Sequence, residues 1–471
     1  MKNYRNLEWE PVNRLLVRLS LPAMGLMILH ALFGLLDTGL IARLGSQSLA
    51  AVTLCHPIQA LLFAVASAVG TGVNSLMSRS LGEKNEAQCN NIAWHTLFMG
   101  LILGVLFTWI GFQWMDFLLR LMGAGPNTME QCRVYLKLYL WAVPGILLPI
   151  LFSGLVVGEG NTVLPLAVGL VETALDVLLD MLLIQGFWII PPLGIRGAAV
   201  ASILSQSVGA ALYFFVLRRE NTVLRWQLRD FVPEGRIVRE MIRVGLPGLL
   251  PSLLGAVLLL LLNRMLMGYG YVEVAALGLF WHIRNFCQLP VAGLGQGSLP
   301  IAGFAFGARH FDRLKETVLK AMAASLCLLC IGWYAAQFHT VVLLEWFTDE
   351  EILLQQGAVC LKLGTLFLPL AGPFLILVDI LQVTGMSFTA MWLSLLRLGF
   401  MEIPFLLLGA GLWGVQGIWL ALAATDLAAA LLVPGFLRIF WNFLYPGIRK
   451  RKKDAHGAKY TLRRLRFWLE R

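Results

Sequence analysis

Charged residues are bunched along this chain, and between the bunches lie twelve uncharged or nearly uncharged runs of about 20 residues or more. An α-helix rising 1.5 Å per residue needs that length to cross roughly 30 Å of hydrocarbon. The runs fall near residues 15–42, 50–79, 92–115, 134–157, 163–186, 196–217, 242–263, 274–305, 320–338, 361–384, 388–411 and 414–440. With 58% hydrophobic residues, 14% charged residues and a mean hydropathy of +0.75, the chain reads as an all-α integral membrane protein with 12 transmembrane helices. Lys and Arg gather in the first segment, in alternate loops and in the tail, which places both termini in the cytoplasm. A cell inner (plasma) membrane location follows. The net charge of +10 is divided among separate loops with no nucleic-acid module, so no nucleic-acid partner is expected.

The chain also repeats itself. Shifting the sequence by 225 residues lays Leu21-Pro22 on Leu246-Pro247, Ala50-Ala51 on Ala275-Ala276, and Gly70, Gly72 and Gly82 on Gly295, Gly297 and Gly307. Pro144 meets Pro369 and Gly160 meets Gly385 at the same shift. Six spans per repeat is an even number, so both halves enter from the same side and are related by an axis along the membrane normal. The expected layout is an N-terminal six-helix bundle (1–217), a basic cytoplasmic linker (218–241), a C-terminal six-helix bundle (242–445) and a basic cytoplasmic tail (446–471). Two pseudo-symmetric bundles would face each other across a central cleft able to open to either side. In the tail, Leu462, Leu465 and Trp468 or Leu469 recur at helical spacing beside arginines, a pattern suited either to the inner leaflet or to solvent.

Within this apolar background the fifth span, "VETALDVLLD", stands out by placing Glu172, Asp176 and Asp180 at i, i+4 and i+8. On a helix these share one face, with neighbours about 5–6 Å apart. A carboxylate in hydrocarbon costs several kcal/mol unless paired, hydrated or protonated, so intramembrane acids mark ion or substrate routes. Asp37 in the first span and Asp180 in the fifth both lie roughly 9–12 Å along the helix from the outer end, and Ser202 in the sixth reaches a similar level. Neighbouring carboxylates repel, so at least one of Asp37, Asp176 and Asp180 is expected to hold a proton more tightly than usual.

"LSLPAMG…LLDTGLIARLGSQSLAAV", "GTGVNSLMSRSLGEKNEAQ", "LDVLLDMLLI…LGIRGAAVAS" and "RVGLPG…GLGQGSLPIAGFAFGARHFDRLKE", in this order, resemble the multidrug and toxic compound extrusion (MATE) family over nearly the full length. The resemblance implies a cation-driven antiporter, coupled to H⁺ or Na⁺, that exports organic and often cationic compounds. A lipid or lipid-linked oligosaccharide flippase of the wider superfamily is the alternative. In similar proteins a first-span Asp, two polar residues four apart on the fifth span and a hydroxyl on the sixth surround the coupling ion. They match Asp37, Asp176, Asp180 and Ser202 here, with the Ala198 carbonyl as an extra ligand and Glu172 deeper on the same stripe. Position 176 is Asp where relatives often have Asn, and position 202 is Ser where Thr is common. The added acid favours protons; Na⁺ at Asp37, Asp176, Asp180 and Ser202 stays open.

The second half is poorer in acids. Asp379 and Glu402 are candidates for a substrate or second polar site, Asp379 alternatively for a structural partner of Arg397 or Arg284. Arg284 is expected to satisfy a local acid or carbonyl. "GLGQGSLP", residues 293–300, lies inside an apolar helix and reads as a close-packing segment, not a phosphate loop. No H-E-x-x-H, nucleophile elbow or P-loop supports an enzyme. Seven irregularly spaced cysteines make no disulfide framework, and Cys327 and Cys330 read as small packing residues. No cofactor is expected; the partners are small organic substrates and membrane lipids, and the chain should work as a monomer.

Overall fold

The computed structural model describes residues 7–42, 46–122, 129–186, 191–217, 231–347 and 350–444, and among them every regular element is helical. The first half comprises α1 (Val12–Ala42), α2 (Ser46–Gly82), α3 (Glu86–Leu121), α4 (Met129–Gly158), α5 (Val163–Gln185) and α6 (Ile195–Leu217). A short helix α7 (Gly235–Gly245) leads through a 3₁₀ turn into α8 (Leu249–Met267), followed by α9 (Tyr271–Gly307), α10 (Phe311–Phe338) and the one-and-a-half-turn α11 (Thr340–Glu345). The chain ends in α12 (Glu351–Gly364), α13 (Leu368–Val383), α14 (Ser387–Leu395), a π-turn (Leu396–Glu402) and α15 (Ile403–Leu444). Residues 218–230 and 445–471, which hold most of the expected basic linker and tail, lie outside the described residues. The linker's last residues belong to α7, whose Ile237, Met241 and Val244 are buried while Arg236, Arg239 and Arg243 are exposed.

Nine helices are long and apolar enough to cross a membrane among the described residues. Three more complete the twelve. α5 has the length, 23 residues, but carries the three acids. α12 and α13 form one span bent by 56° at residues 365–367. The freed backbone at that bend is bonded by Gln337, whose Nε2 donates to the Lys362 carbonyl at 2.8 Å and to Thr365 Oγ1 at 3.1 Å. α14, the π-turn and α15 together make two spans folded at Gly414, whose φ of 58° only glycine adopts without strain, and the backbones of Gly409 and Gly417 meet there. Helices are required because hydrocarbon offers no partner for a free N–H or C=O.

The end of the bundle at which α1 begins and α2 and α9 finish is here called basal, the opposite end distal. At the basal end α2 crosses α9, its repeat counterpart, about a pseudo-two-fold axis. Ser78 packs on Gly303, its own equivalent at the 225-residue shift. Gly82 sits on the Phe304 carbonyl, and reciprocally Gly307 on the Arg79 carbonyl. One cross-half hydrogen bond closes the same region, Ser75 Oγ donating to the Val383 carbonyl at 2.7 Å, and within the second half Gln382 Nε2 donates to the Val244 carbonyl at 3.1 Å. On the flanks Gly293 and Gly297 pack on Met24 and Ser20, as the close-packing reading of 293–300 expects. Across the axis Gly245 meets Ala68 and Gly72 meets Met241, one helical turn out of register with that pair.

The apolar core follows the same division. One buried cluster runs across both halves through Met77, Leu155, Phe304 and Leu377. A second, built on Leu258, Phe280, Leu361 and Trp419, belongs to the distal part of the second half alone. The halves therefore share a core basally and have separate cores distally, the shape of a cleft closed at the basal end. Cys327 and Cys330 are free and exposed on α10, so they are not the buried packing residues their span suggested.

Candidate functional site

α5 and α6 run antiparallel, and small residues on α6 let the acid-bearing face of α5 approach. A side chain at Gly209 would collide with the Glu172 carboxylate, and at Gly197 with the Leu183 backbone. Between these levels Ser205 Oγ donates to Asp176 Oδ1 at 2.9 Å. The same register brings Asp180, which is 1% exposed, level with Ala201 and Ser202. The hydroxyl bonded to Asp176 is thus Ser205, one turn basal of Ser202. Ala198, Ser202, Ser205 and Gly209 recur at helical spacing on one stripe of α6, a pattern that would have pointed to Ser205.

α1 runs parallel to α5, with Gly25 against Leu166 and Gly169 against Leu26 and His30. Carried along both helices, this register sets the α1 backbone at position 37 level with residues 178–180. The side chain of Asp37 lies outside the described residues. The α1 backbone at position 37 and the buried Asp180 therefore stand at one height along the bundle.

Basal to that height a cavity of about 270 Å³ opens between α1, α2, α4, α5 and α6, with Gln296 of α9 reaching it from the second half. Its polar lining includes His30, Asn74, Glu172 and Tyr213 within a surface otherwise made of residues such as Leu26, Met27, Phe63 and Ile150. Glu172 Oε1 is buried and has no hydrogen-bond partner among the described residues. Asn74 Oδ1 is in the same condition. The arrangement is an apolar chamber with a few convergent polar atoms, one of them an acid, as small-molecule pockets are built. It stands next to the Asp176 and Asp180 layer on the same face of α5.

In the second half the acids are arranged differently. Asp426, fully buried on α15, accepts from Arg284 Nη2 at 2.9 Å on both carboxylate oxygens and from Arg397 Nη2 at 2.8 Å. The guanidinium of Arg284 lies over Phe280 at 5.7 Å and that of Arg397 over Phe374 at 5.4 Å. Arg284 is a partner of a local acid, as expected, but the acid is Asp426, which the sequence reading passed over. Asp379 is not the partner of either arginine: it packs on Gly295, eleven residues and so roughly 16 Å along α9 from Arg284. Glu402 is 5% exposed and sits beside the cluster, acted on by Arg397, Arg284 and Asp426.

Two matched six-helix halves, a cleft closed at one end and carboxylates buried inside one half define a multi-pass membrane transporter. The MatE family model matches residues 22–182 and 247–408, its second match starting at the repeat shift from the first. The chain belongs to this family, whose members are secondary transporters and not enzymes. It is 28% identical over 439 residues, 92% of this chain and 95% of the relative, to the multidrug export protein MepA of Staphylococcus aureus strain NCTC 8325. The MepA of Staphylococcus saprophyticus is 27% identical over 90% of this chain and 93% of its own. Among solved structures, a MATE in complex with MaL6 superimposes with a TM-score of 0.89 at 26% identity, covering 95% of this chain and 100% of that one. An outward-facing multidrug resistance MATE transporter of the MOP superfamily gives 0.87 at 26% identity, covering 94% of this chain and 99% of its own.

Proposed function

We propose that this protein is a proton-coupled antiporter that exports organic, predominantly cationic compounds from the cytoplasm by alternating access. The observation that carries the reading is the carboxylate stripe of α5. Glu172 faces the apolar chamber, while Asp176 and Asp180 meet α6 one and two turns further on, level with position 37 of α1. A proton arriving at Asp37, Asp176 and Asp180 changes the charge of the layer next to the substrate chamber, so the two occupants compete through one helix face. Ser202 and the Ala198 carbonyl complete the layer, and the same oxygens are the ligands a Na⁺-coupled variant of the mechanism would use. Each charge driven through 100 mV supplies about 2.3 kcal/mol, a bias of roughly fiftyfold.

Basic side chains crowd the basal end, among them Arg14, Arg18, Lys84, Arg239, Arg243, Arg309 and Arg313. Under the positive-inside rule that end is cytoplasmic, and a basally closed cleft is the outward-facing state, in the inner membrane. Multidrug export by the MepA relatives supports the substrate class. A single chain carries both halves, so a monomer suffices. The flippase reading loses support because two largely buried arginines of the second half that could hold a phosphate, Arg284 and Arg397, are both bonded to Asp426.

Proteoliposomes loaded with ethidium separate the possible drivers. Under an imposed pH gradient at equal Na⁺ on both sides, ethidium should move against its own gradient. Under a Na⁺ gradient at fixed pH it should not. Movement driven by Na⁺ alone would overturn proton coupling and leave the antiporter reading with the other ion.

A further inference from the structure

The buried charge cluster of the second half lies outside the α5–α6 layer, and its geometry contains a movable part. Arg397 and Glu402 stand five residues apart on the π-turn. In an α-helix such residues point about 140° apart, at 100° per residue. In a π-turn, closed by i→i+5 hydrogen bonds, they lie one above the other. The extra residue in this turn therefore sets a second carboxylate beside an arginine already bonded to Asp426. Arg397 uses Nη2 for that bond, and its Nε is buried with no acceptor among the described residues. Among the described residues Glu402 makes no ion pair within 4 Å, although it is buried on the same turn as Arg397.

We propose that Glu402 is a second proton-binding site, in the second half of the transporter, and that its occupancy decides whether Arg397 ties the eleventh span to Asp426 of the twelfth. The two guanidiniums carry permanent charge. Both are held on the Asp426 carboxylate, so Glu402 is the group left to change charge. Among the described residues, α14 has no charged residue, α8 has only the exposed Arg264 in its last turn, and α15 brings Asp426 with Arg438 near its far end. The helix α13, whose Phe374 lies under Arg397, carries one further acid, Asp379, which packs on Gly295 of α9. Arg284 comes from α9 and acts on Glu402 across Asp426. When Glu402 is protonated, Arg397 stays on Asp426, the arrangement seen in the structure. When the proton leaves, the free Arg397 Nε and the adjacent carboxylate attract each other, and the hold of the π-turn on the twelfth span slackens. The step moves one proton and breaks no covalent bond.

The test is infrared difference spectroscopy of the full-length protein in lipid, with the pH raised from about 3 to about 9, a range that brackets the ordinary titration of a carboxyl. A protonated carboxylic acid shows a C=O stretching band that vanishes on ionisation. Glu402→Gln copies the protonated form in shape and removes no ion pair, so it should fold, and it should delete one pH-dependent carboxyl band. Arg397→Gln should keep that band and displace its midpoint to higher pH. Asp180→Asn should leave the band untouched, which separates this site from the α5 layer on which the proposed function rests. If Glu402→Gln leaves every carboxyl band in place, or if Arg397→Gln leaves the midpoint where it was, the switch does not exist. Loss of the band with unchanged ethidium export under a pH gradient would show a proton site that does not act on transport, and would overturn its coupling role.

Discussion

Replacing Asp180 by Asn should cripple gradient-driven export while the protein still folds and still binds ethidium in the chamber. Asn keeps the size and the hydrogen-bonding capacity of the protonated acid but cannot release a proton. The layer then loses its most buried titratable group, and the pH gradient loses the charge change that Asp180 supplies. The lost driving force is that of one charge, about 2.3 kcal/mol per 100 mV, so steady-state ethidium accumulation against its gradient should fall by roughly fiftyfold. Equilibrium binding of ethidium to the detergent-solubilised variant, followed by fluorescence anisotropy, should change far less, because the chamber wall, Glu172 included, is intact. A variant that still pumps at the normal rate would remove Asp180 from the coupling site.

The second large effect concerns the basal closure. The crossing of α2 and α9 depends on Gly82 lying on the Phe304 carbonyl and Gly307 on the Arg79 carbonyl, backbone against backbone. A valine at Gly82 has no flexible neighbour to push aside, and overpacking of this kind costs about 1–3 kcal/mol in the closed state. The open state, in which α2 and α9 separate at that end, loses nothing. The balance between the two should shift by roughly 5- to 150-fold toward the basally open form. Ser78, fully buried at the crossing, reports the shift directly. In a background from which the seven native cysteines are removed, Ser78→Cys should react slowly with a membrane-impermeant maleimide added on the basal side, and quickly once Gly82→Val is also present. Export should fall with it, since the cycle must visit the closed form. Equal labelling with and without Gly82→Val would mean that the crossing is not the gate.

Much of this architecture is legible in the sequence because hydrocarbon imposes simple rules. Uncharged runs of fixed length become spans, and a gapless repeat at one offset becomes a pseudo-two-fold axis. The repeat even names the residues that meet on that axis, since Ser78 and Gly303 are equivalent positions. The α5 acids are visible for the same reason: three carboxylates at helical spacing have no bland explanation inside an apolar run. What escapes is whatever depends on how helices cross. Ser202 and Ser205 are one turn apart, and only the register fixed by Gly197 and Gly209 decides which hydroxyl bonds Asp176. Asp426 stands alone in "ALAATDLAAALL", and its arginine partners are 29 and 142 residues away in the chain. The pairing of Arg397 with Glu402 cannot be read from spacing at all, because five residues place two side chains on one face only where the helix takes up a π-turn.

The second half also shows why a repeat in sequence need not be a repeat in chemistry. Position 176 of the stripe corresponds, at the 225-residue shift, to Met401, and position 180 to Phe405, so the acids of α5 have no counterparts. The first half holds the apolar chamber and the acids of α5, and the second holds a compact ion cluster. The flanking contacts differ as well, being one helical turn out of register across the axis.

In the proposed cycle substrate and proton exclude one another through the α5 carboxylates. This exclusion is tested most directly by adding ethidium to the purified protein in weakly buffered detergent solution and following the bulk pH. Wild-type protein should release protons as it binds the dye, Asp180→Asn should release markedly fewer at equal dye occupancy, and Glu402→Gln should retain the α5 share. Dye binding with no proton release from the wild type, or an undiminished release from Asp180→Asn, would contradict the account.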